Sequence, residues 1–282
     1  MDFKKFSEMI LIEQTLFALP FAYLGLLFAG GGSITDWIWV TVALVAARTA
    51  GMSFNRVIDM DIDRKNPRTK DRILARGDAG PAEVLLYGAA ASLVLVFAAY
   101  MLNTLCFYLS FVAVAMLATY SYFKRFTSSS HYYLGLVEAA APIGGYLGVT
   151  GEFEVLPFIL GTAIMMWIAG LDLVYAIQDV DFDRSEKLYS FPARYGVERT
   201  LAASAVSYTA AVAALSAAGY IARRGIGYWV GVACVAVIFI AQQRLARGDD
   251  PASAVKQVFE LNRYVAPVLF VGTFLDVYVD QG

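Results

Sequence analysis

Two acidic stretches contain the residues whose types and spacing could do chemistry. The first reads FNRVIDMDIDR, and in it Asn55, Asp59 and Asp63 recur at every fourth position. On an α-helix these three side chains share one face, whereas Asp61 points elsewhere. Oxygen ligands aligned in this way repel one another unless a cation lies between them, and such hard ligands suit Mg²⁺. The stretch therefore predicts a magnesium-binding helix face, with Asp61 directed toward solvent.

The second stretch reads LDLVYAIQDVDFDR and repeats this chemistry. Asp172, Asp179 and Asp183 are spaced i, i+7 and i+11, again on one helix face, and Tyr175 lies four residues before Asp179. Asp181 is expected to face solvent. If the two helix faces lie at the same depth in a membrane, they can oppose each other across a cavity. Two metal ions that hold one diphosphate between them would require this arrangement. Ordinary interfacial charges at helix ends are the alternative, but solvation alone does not require two such faces.

Basic residues near the acidic stretches could bind phosphate. Arg68 and Arg72, in the loop after the first stretch, are four residues apart, and arginine offers a bidentate fork to phosphate. Tyr120 and Lys124, in TYSYFKRF, have the same spacing, and Lys124 could hold a leaving diphosphate. The alternatives are the general excess of Lys and Arg in cytoplasmic loops, and an interfacial lysine beside a tyrosine belt.

Arg48 is a charged residue within an apolar segment, where removing its charge from water costs free energy. It lies seven residues before Asn55 and so projects on nearly the same stripe of the helix. An arginine at that depth requires an anionic partner. A substrate carboxylate or a diphosphate would serve, and so would a structural pair with Glu13 or Glu138. The sequence favours neither interpretation.

The elements that position these residues are predicted to be membrane-spanning helices. Of 282 residues, 59% are hydrophobic and only 16% are charged, which is too little polar surface for a soluble domain. Apolar runs of about 20 residues, the length that crosses a bilayer core, recur along the chain. We therefore predict an all-α polytopic membrane helical bundle, a single domain over residues 1–282. Its nine predicted transmembrane helices are 9–30, 37–62, 81–101, 104–122, 132–150, 155–181, 199–220, 226–243 and 257–279.

Residue usage restricts the remaining possibilities. His131 is the only histidine, which argues against a multi-histidine metal or haem site. Cys106 and Cys234 both lie in apolar runs, and no disulfide is predicted. No cleavable signal is recognisable after the charged N-terminus. Nothing in the sequence indicates a nucleic-acid partner or an obligate protein partner.

The placement of positive charge predicts the orientation in the membrane. Seventeen Lys and Arg residues fall on the N-terminal side of the predicted spans, and only Arg223 and Arg224 lie in connections on the other side. The positive-inside rule therefore places the N-terminus in the cytoplasm, and nine spans place the C-terminus outside. Both acidic stretches and the long loops at 63–80 and 182–198 then lie at the cytoplasmic face, where a central cavity would open. The charge pattern does not explain Arg223 and Arg224.

The motifs resemble those of a known family. NRVIDMDID matches the NxxxDxxxD motif of the UbiA superfamily of intramembrane prenyltransferases, and KNPRTKDRILARG is similar to the loop that follows it. DLVYAIQDVDFDRSEKLYSFPARYG is similar to the second DxxxD region and most resembles the 4-hydroxybenzoate polyprenyltransferase branch, which includes enzymes acting on a naphthoate-type menaquinone precursor. The extra Asp61, and Asp181 where related enzymes often carry Glu, depart from the pattern without changing the core spacing.

Position by position, the resemblance implies roles for the candidate residues. Asn55, Asp59 and Asp63 would bind the diphosphate through one Mg²⁺, and Asp179 and Asp183 would hold a second. The four aspartates and Lys124 would be the catalytic residues. The side chains expected to contact the substrates, besides Asn55, are Arg48, Arg68, Arg72, Tyr120, Lys124, Asp172 and Tyr175.

The expected activity is a Mg²⁺-dependent transfer in the lipid bilayer. A polyprenyl group would pass from a prenyl diphosphate to a small aromatic acceptor, 4-hydroxybenzoate, in quinone biosynthesis. Other acceptors stay open at this point, namely a naphthoate-type precursor, haem or a glycerol-phosphate ether lipid. A cation-coupled transporter is the alternative from another class, although the acids cluster at one membrane face and not at the midplane. A CDP-alcohol phosphotransferase would require a Gly-bearing acidic signature that the sequence lacks.

Overall fold

The computed structural model describes the backbone of residues 3–279, and the side chains of these residues except positions 3, 13, 14, 16 and 17. All regular structure in this part of the chain is helical, as predicted. Two 3₁₀ segments, Tyr120–Arg125 and Ala176–Asp179, interrupt the α-helices. The α-helices are α1 (Phe3–Ile10), α2 (Ile12–Phe28), α3 (Ile34–Ile58), α4 (Met60–Lys65), α5 (Pro81–Leu102), α6 (Thr104–Thr119), α7 (Ser130–Thr150), α8 (Val155–Tyr175), α9 (Val180–Ser185), α10 (Phe191–Tyr195), α11 (Val197–Ile221), α12 (Ile226–Ala246), α13 (Pro251–Asn262) and α14 (Val265–Tyr278).

Seven helical segments of the described chain are long and apolar enough to cross a membrane. They are Ile34–Ile58, Pro81–Leu102, Thr104–Arg125, Val155–Ser185, Val197–Ile221, Ile226–Ala246 and Pro251–Tyr278. The protein is therefore an integral membrane protein. The predicted spans 9–30 and 132–150 correspond to α2 and α7, which are not among these seven segments: α2 has 17 residues, and α7 carries His131 and Glu138 on its inner side. The nine crossings and their orientation stay predictions.

The predicted acidic helices bend at their functional ends. Asp59 separates α3 from α4, but its N–H donates to the Asn55 carbonyl at 2.9 Å and its carbonyl accepts the Asp63 N–H at 2.8 Å. The fourfold spacing therefore survives the bend. In the second stretch the 3₁₀ segment precedes α9, so Asp179 and Asp183 do not continue α8. The last predicted span begins earlier than expected, at Pro251, and is divided after Asn262.

Small residues allow the inner helices to approach closely. A Cβ added at Gly25 of α2 would lie 2.0 Å from the carbonyl oxygen of Pro142 in α7, and one at Gly145 would lie 2.1 Å from the carbonyl oxygen of Ala22. Only glycine permits this backbone contact, which is the usual way for helices to associate in a membrane. The wall formed by α7 is thereby fixed against α2.

Arg224, which the charge pattern did not explain, has a structural partner. Its Nη2 donates to the Leu27 carbonyl at 2.8 Å, and its guanidinium lies 4.5 Å from the centroid of the Phe28 ring. Nη1 is 3.8 Å from the Asp276 carboxylate. The side chain therefore connects the end of α2 to α14, and a buried carboxylate compensates its charge.

The loop after α4 packs against α1. Met9 and Ile10 of α1 pack in one buried cluster with Ile73 and Leu74 of the loop. The guanidinium of Arg76 completes the contact through ion pairs with α1 and with its own loop. These contacts restrict the segment that carries the basic residues of the site. Elsewhere, Cys106 and Cys234 are both free thiols.

Candidate active site

A cavity of about 750 Å³ lies among α3, α5, α6, α7 and α8. One end is charged and the rest is mostly apolar. Along α3 the lining extends from Asp59 to Val40, about 28 Å at 1.5 Å per residue, which approaches the thickness of a bilayer core. All twelve candidate residues contribute to its wall, namely Arg48, Asn55, Asp59, Asp63, Arg68, Arg72, Tyr120, Lys124, Asp172, Tyr175, Asp179 and Asp183.

Asp59 is the most deeply buried of the predicted acids, with 2% of its side chain exposed. Its Oδ2 accepts hydrogen bonds from Lys124 Nζ at 2.7 Å and Asn55 Nδ2 at 2.8 Å. Arg125, which sequence analysis missed, approaches Oδ1 at 3.4 Å and donates to the Ile58 carbonyl at 2.7 Å. Oδ1 itself is buried and has no hydrogen-bond partner among the described residues. An orphaned carboxylate oxygen is costly unless a ligand completes it.

The basic loop brings one arginine to each acidic stretch. Arg72 Nη1 donates to both Asp63 oxygens, at 2.8 and 3.0 Å. Arg68 grips Asp179 in a fork, with Nε to Oδ1 at 2.9 Å and Nη2 to Oδ2 at 2.5 Å. Asn66, a second residue that sequence analysis missed, adds a bond from Nδ2 to Asp179 Oδ1 at 3.0 Å. The two arginines, four residues apart, therefore bridge opposite sides of the cavity.

Tyr175 orients Arg68. Its hydroxyl accepts a 2.6 Å bond from Arg68 Nη1, and the guanidinium lies 5.0 Å from the ring centroid. Burial lowers the pKa of Arg68, but the hydrogen bond to Asp179 and electrostatic attraction to Tyr175, Asp179 and Asp63 outweigh it, so the pKa is raised above its ordinary value. Arg68 therefore stays charged at any physiological pH.

The two extra acids lie outside the site, as expected. Asp61 and Asp181 have 85% and 96% of their side chains exposed. Each makes a long contact with an arginine three residues later. Their neighbours Asp63 and Asp183 face the cavity instead. The helical spacing therefore distinguished the acids that face the cavity from those that face solvent.

The structure settles the partner of Arg48. Its Nη1 donates to Glu138 Oε1 at 2.7 Å, across from α3 to α7. The predicted pair with Glu138 is therefore present, a substrate role for Arg48 stays a prediction, and the side chain of Glu13 lies outside the described residues. Arg48 Nε is buried without a partner, so the guanidinium retains an unused donor in the cavity wall. Nearby, the Tyr120 hydroxyl donates to the Gly51 carbonyl at 3.4 Å.

His131 is the third residue that sequence analysis missed. It lines the cavity, and its Nδ1 lies 2.7 Å from Asp172 Oδ2. Its Nε2 accepts the backbone N–H of Phe191 at 3.2 Å. A single histidine carries no spacing signal, and its partner is 41 residues away, so nothing local could have revealed the pair.

The acidic side chains of the cavity suit a metal ion that is coordinated by the protein and by the substrate together. The described residues contain no group of three or more His, Cys, Asp or Glu side chains arranged to hold a metal. Mg²⁺, however, usually takes one or two carboxylates, with phosphate oxygens and water completing its shell. The orphaned Oδ1 of Asp59, and the carboxylates of Asp63, Asp179 and Asp183 at the same end of the cavity, fit that donor set.

Comparison with known proteins decides the family. Residues 18–264 match the UbiA prenyltransferase family. The chain belongs to this family. It is therefore a prenyltransferase, which confirms the resemblance stated above and removes the transporter alternative.

Individual relatives agree with this assignment. A 4-hydroxybenzoate octaprenyltransferase from Marinobacter nauticus is 30% identical over 88% of this chain and 84% of its own length. The apo structure of a UbiA homolog from Aeropyrum pernix K1 is similar with a TM-score of 0.87 and 36% identity, and covers 94% of this chain and 98% of that one. A UbiA homolog from Archaeoglobus fulgidus bound to GPP and Mg²⁺ shares the fold, with a TM-score of 0.74 and 16% identity over 98% of this chain and 100% of that one.

Proposed function

We propose that this UbiA-family enzyme transfers a polyprenyl group from a prenyl diphosphate to an aromatic acceptor, 4-hydroxybenzoate, in a Mg²⁺-dependent reaction of quinone biosynthesis. The observation that carries the proposal is one cavity with acids and arginines at one end and apolar side chains along the rest. A prenyl diphosphate is divided in the same way, into a charged diphosphate group and an apolar chain. The curated relatives named 4-hydroxybenzoate octaprenyltransferase support the aromatic acceptor.

The charged end would hold the diphosphate. Asn55, Asp59 and Asp63 would bind one Mg²⁺, and Asp179 and Asp183 a second. When bound, Mg²⁺ neutralises the charge that grows on the leaving diphosphate. The Archaeoglobus homolog, of the same fold, was solved with GPP and Mg²⁺, which supports this assignment.

Three cations would bind the diphosphate directly. Arg68, Arg72 and Lys124 each contact an aspartate of the site, so they are held at the charged end before any substrate arrives. Donors placed in advance around a developing anion stabilise the transition state without reorganising. The two arginine forks suit pairs of phosphate oxygens.

The apolar remainder would hold the prenyl chain. Leu44, Leu95, Leu109 and Leu147 line it, and each buried CH₂ of the substrate gains about 0.8 kcal/mol. Breaking the allylic C–O bond leaves a carbocation-like fragment that water would quench, and an apolar wall excludes water. The aromatic ring of Tyr120 lines the cavity near the charged end and can stabilise the cation through its face.

The acceptor would lie between these two parts, beside Arg48 and Asp172. Arg48 has an unused buried donor for a carboxylate oxygen. The acceptor's hydroxyl makes the ring electron-rich, and the carbon next to that hydroxyl attacks the prenyl group. A ring proton then leaves. We propose that the whole chain forms one domain with nine transmembrane helices, the N-terminus and the charged end of the cavity in the cytoplasm, and the C-terminus outside.

A radiolabelled transfer assay on purified protein in detergent tests the proposal. It would offer geranyl and longer diphosphates, with and without Mg²⁺, against 4-hydroxybenzoate, a hydroxynaphthoate, haem and glycerol phosphate. We expect a prenylated 4-hydroxybenzoate that forms only with Mg²⁺. If only another acceptor were prenylated, that compound would replace 4-hydroxybenzoate in the proposal. Transfer that continues in EDTA would contradict the metal assignment.

A further inference from the structure

The pair formed by His131 and Asp172 is a different kind of contact from the three ion pairs at the charged end of the cavity. Asp59, Asp63 and Asp179 are each held by a lysine or an arginine. Asp172 instead receives a single hydrogen bond, from His131 Nδ1 at 2.7 Å. An acid beside a permanent cation is a weak proton acceptor, because the cation stabilises its charged form. Asp172 lacks such a neighbour.

The hydrogen bonds of His131 determine its tautomer. The backbone N–H of Phe191 donates to Nε2 at 3.2 Å, so Nε2 offers a lone pair and carries no proton. The ring proton is therefore on Nδ1 and is donated to Asp172 Oδ2. The imidazole is neutral in this arrangement. It therefore orients the carboxylate group of Asp172 without neutralising its negative charge. Oδ1 of Asp172 accepts no hydrogen bond from any described residue and is available to a ligand.

Asp172 is separate from the three cations proposed for the diphosphate, since Arg68, Arg72 and Lys124 each pair with a different aspartate. Asp172 lies on α8, seven residues before Asp179, which belongs to the 3₁₀ segment that follows α8. The wall of the same cavity also contains Tyr120, Arg48 and Glu138. The prenyl C1 atom must lie next to the diphosphate, and the acceptor ring must lie next to C1.

We infer that Asp172, positioned by His131, accepts the hydroxyl proton of the aromatic acceptor while the prenyl group is transferred. The inference rests on the proposed function and names the group that acts on its acceptor. Asp172 is the catalytic residue of the pair. His131, whose hydrogen bonds within the described part of the chain go to Asp172 and the Phe191 backbone, is its positioning residue.

The step balances in atoms and electrons. The C1–O bond breaks and its electron pair leaves with the diphosphate, while a new C–C bond forms from the ring carbon next to the hydroxyl. The hydroxyl proton passes to Asp172 Oδ1, which leaves a dienone. The dienone then loses the proton on its substituted carbon to a diphosphate oxygen, and its own oxygen takes back the proton from Asp172. The prenylated phenol and protonated diphosphate are the products, and Asp172 is again ionised.

A carboxylate is a suitable base for this proton because the hydroxyl changes during the reaction. A ground-state phenol, with a pKa near 10, is far too weak an acid for an ordinary aspartate. As the ring gives electrons to the prenyl cation, positive charge reaches the hydroxyl oxygen and the proton becomes strongly acidic. A base placed in advance then assists the transition state alone, by roughly 10²- to 10⁴-fold.

The first test compares Asp172→Asn with Asp61→Asn. Asparagine keeps the size of the side chain but cannot take the proton, and Asp61 is an exposed acid away from the cavity. We expect Asp172→Asn to lower kcat by roughly 10²-fold or more, with an unchanged KM for prenyl diphosphate and unchanged Mg²⁺-dependent binding of that substrate. Asp61→Asn should behave like the wild type. Loss of diphosphate binding in Asp172→Asn would show that Asp172 serves the diphosphate end and would overturn the inference.

A series of acceptors separates a proton acceptor from a structural residue. Fluorinated 4-hydroxybenzoates have more acidic hydroxyls and need the base less. The ratio of wild-type to Asp172→Asn kcat should therefore fall steadily as the acceptor pKa falls. An equal loss with every acceptor would contradict the inference while leaving the proposed function intact. A wild-type enzyme that binds prenyl diphosphate but prenylates no hydroxylated aromatic would contradict both.

The role of His131 is tested by His131→Leu and His131→Asn. Leucine removes the donor to Asp172, whereas the asparagine amide can replace Nδ1–H. We expect kcat to fall on the order of 10- to 100-fold in His131→Leu, as is typical when a group that orients a functional side chain is lost, and to recover largely in His131→Asn. Thermal unfolding of each variant checks that the bundle is intact. Equal activity of folded His131→Leu and wild type would overturn the positioning role.

Discussion

The contact between Asp59 and Lys124 allows structure and catalysis to be separated in one set of variants. The two side chains meet at 2.7 Å, with 2% of Asp59 and 30% of Lys124 exposed. Asp59→Asn removes the negative charge, Lys124→Met removes the positive charge, and the double variant removes both. All three keep side chains of similar size, so changes in packing are small.

The structure predicts unequal costs for these changes. Breaking a buried pair from one side costs up to about 3–5 kcal/mol, because a charge is left buried. Lys124 is partly solvated and Arg125 lies 3.4 Å from Asp59 Oδ1, so we expect each single change to cost about 1–3 kcal/mol, with Lys124→Met the larger. The double variant leaves neither charge and should return to within about 1 kcal/mol of the wild type.

Activity should not follow stability in this set. If Asp59 binds Mg²⁺ and Lys124 binds the leaving diphosphate, each single variant loses roughly 10²- to 10³-fold in kcat, and the double variant stays inactive although its stability returns. Thermal unfolding in detergent and the radiolabelled transfer assay measure the two quantities on the same samples. A stable double variant that regains activity would refute the catalytic assignment, and so would wild-type kcat in Asp59→Asn.

Other contacts make shorter predictions. Arg68→Lys keeps the charge but loses the fork, so the KM for prenyl diphosphate should rise roughly tenfold while the unfolding temperature stays near that of the wild type; an unchanged KM would argue against diphosphate contact. Gly145→Val forces α7 away from α2, where a Cβ would meet a carbonyl oxygen at 2.1 Å, and should cost about 3 kcal/mol in thermal unfolding; Gly144→Val, where a Cβ meets nothing within 4 Å, is the control. Arg224→Leu should destabilise by about 3 kcal/mol because Asp276 is left buried without its cation. Adding Asp276→Leu should restore stability, and a double variant no more stable than Arg224→Leu would contradict the pair.

Much of the fold and of the site follows from local patterns. Apolar runs predict membrane helices wherever they pack, which is why the all-α class and the membrane location were recovered. Fourfold spacing places Asn55, Asp59 and Asp63 in register through hydrogen bonds between near neighbours, and the register survives the bend at Asp59. The bend itself was not predicted, because a bent helix and a straight helix have the same spacing of side chains.

The partners of these residues could not be predicted. Arg68 reaches Asp179 across 111 positions of sequence, and Arg48 reaches Glu138 across 90. Charge counting marked Arg224 as an exception, although Asp276 compensates it within the described chain. Such pairs are formed when helices pack, and no periodicity records them.

The sequence by itself determined the helical membrane class, the family and the inner acids, because helix formation and membrane insertion depend on the spacing and hydropathy of neighbouring residues. Only the tertiary structure decided which cation serves which acid, and that the single histidine sits beside Asp172. The hydrogen bonds of the site act over about 3 Å, whereas the residues that form them are separated by tens of positions. Helix packing alone brings them within that range.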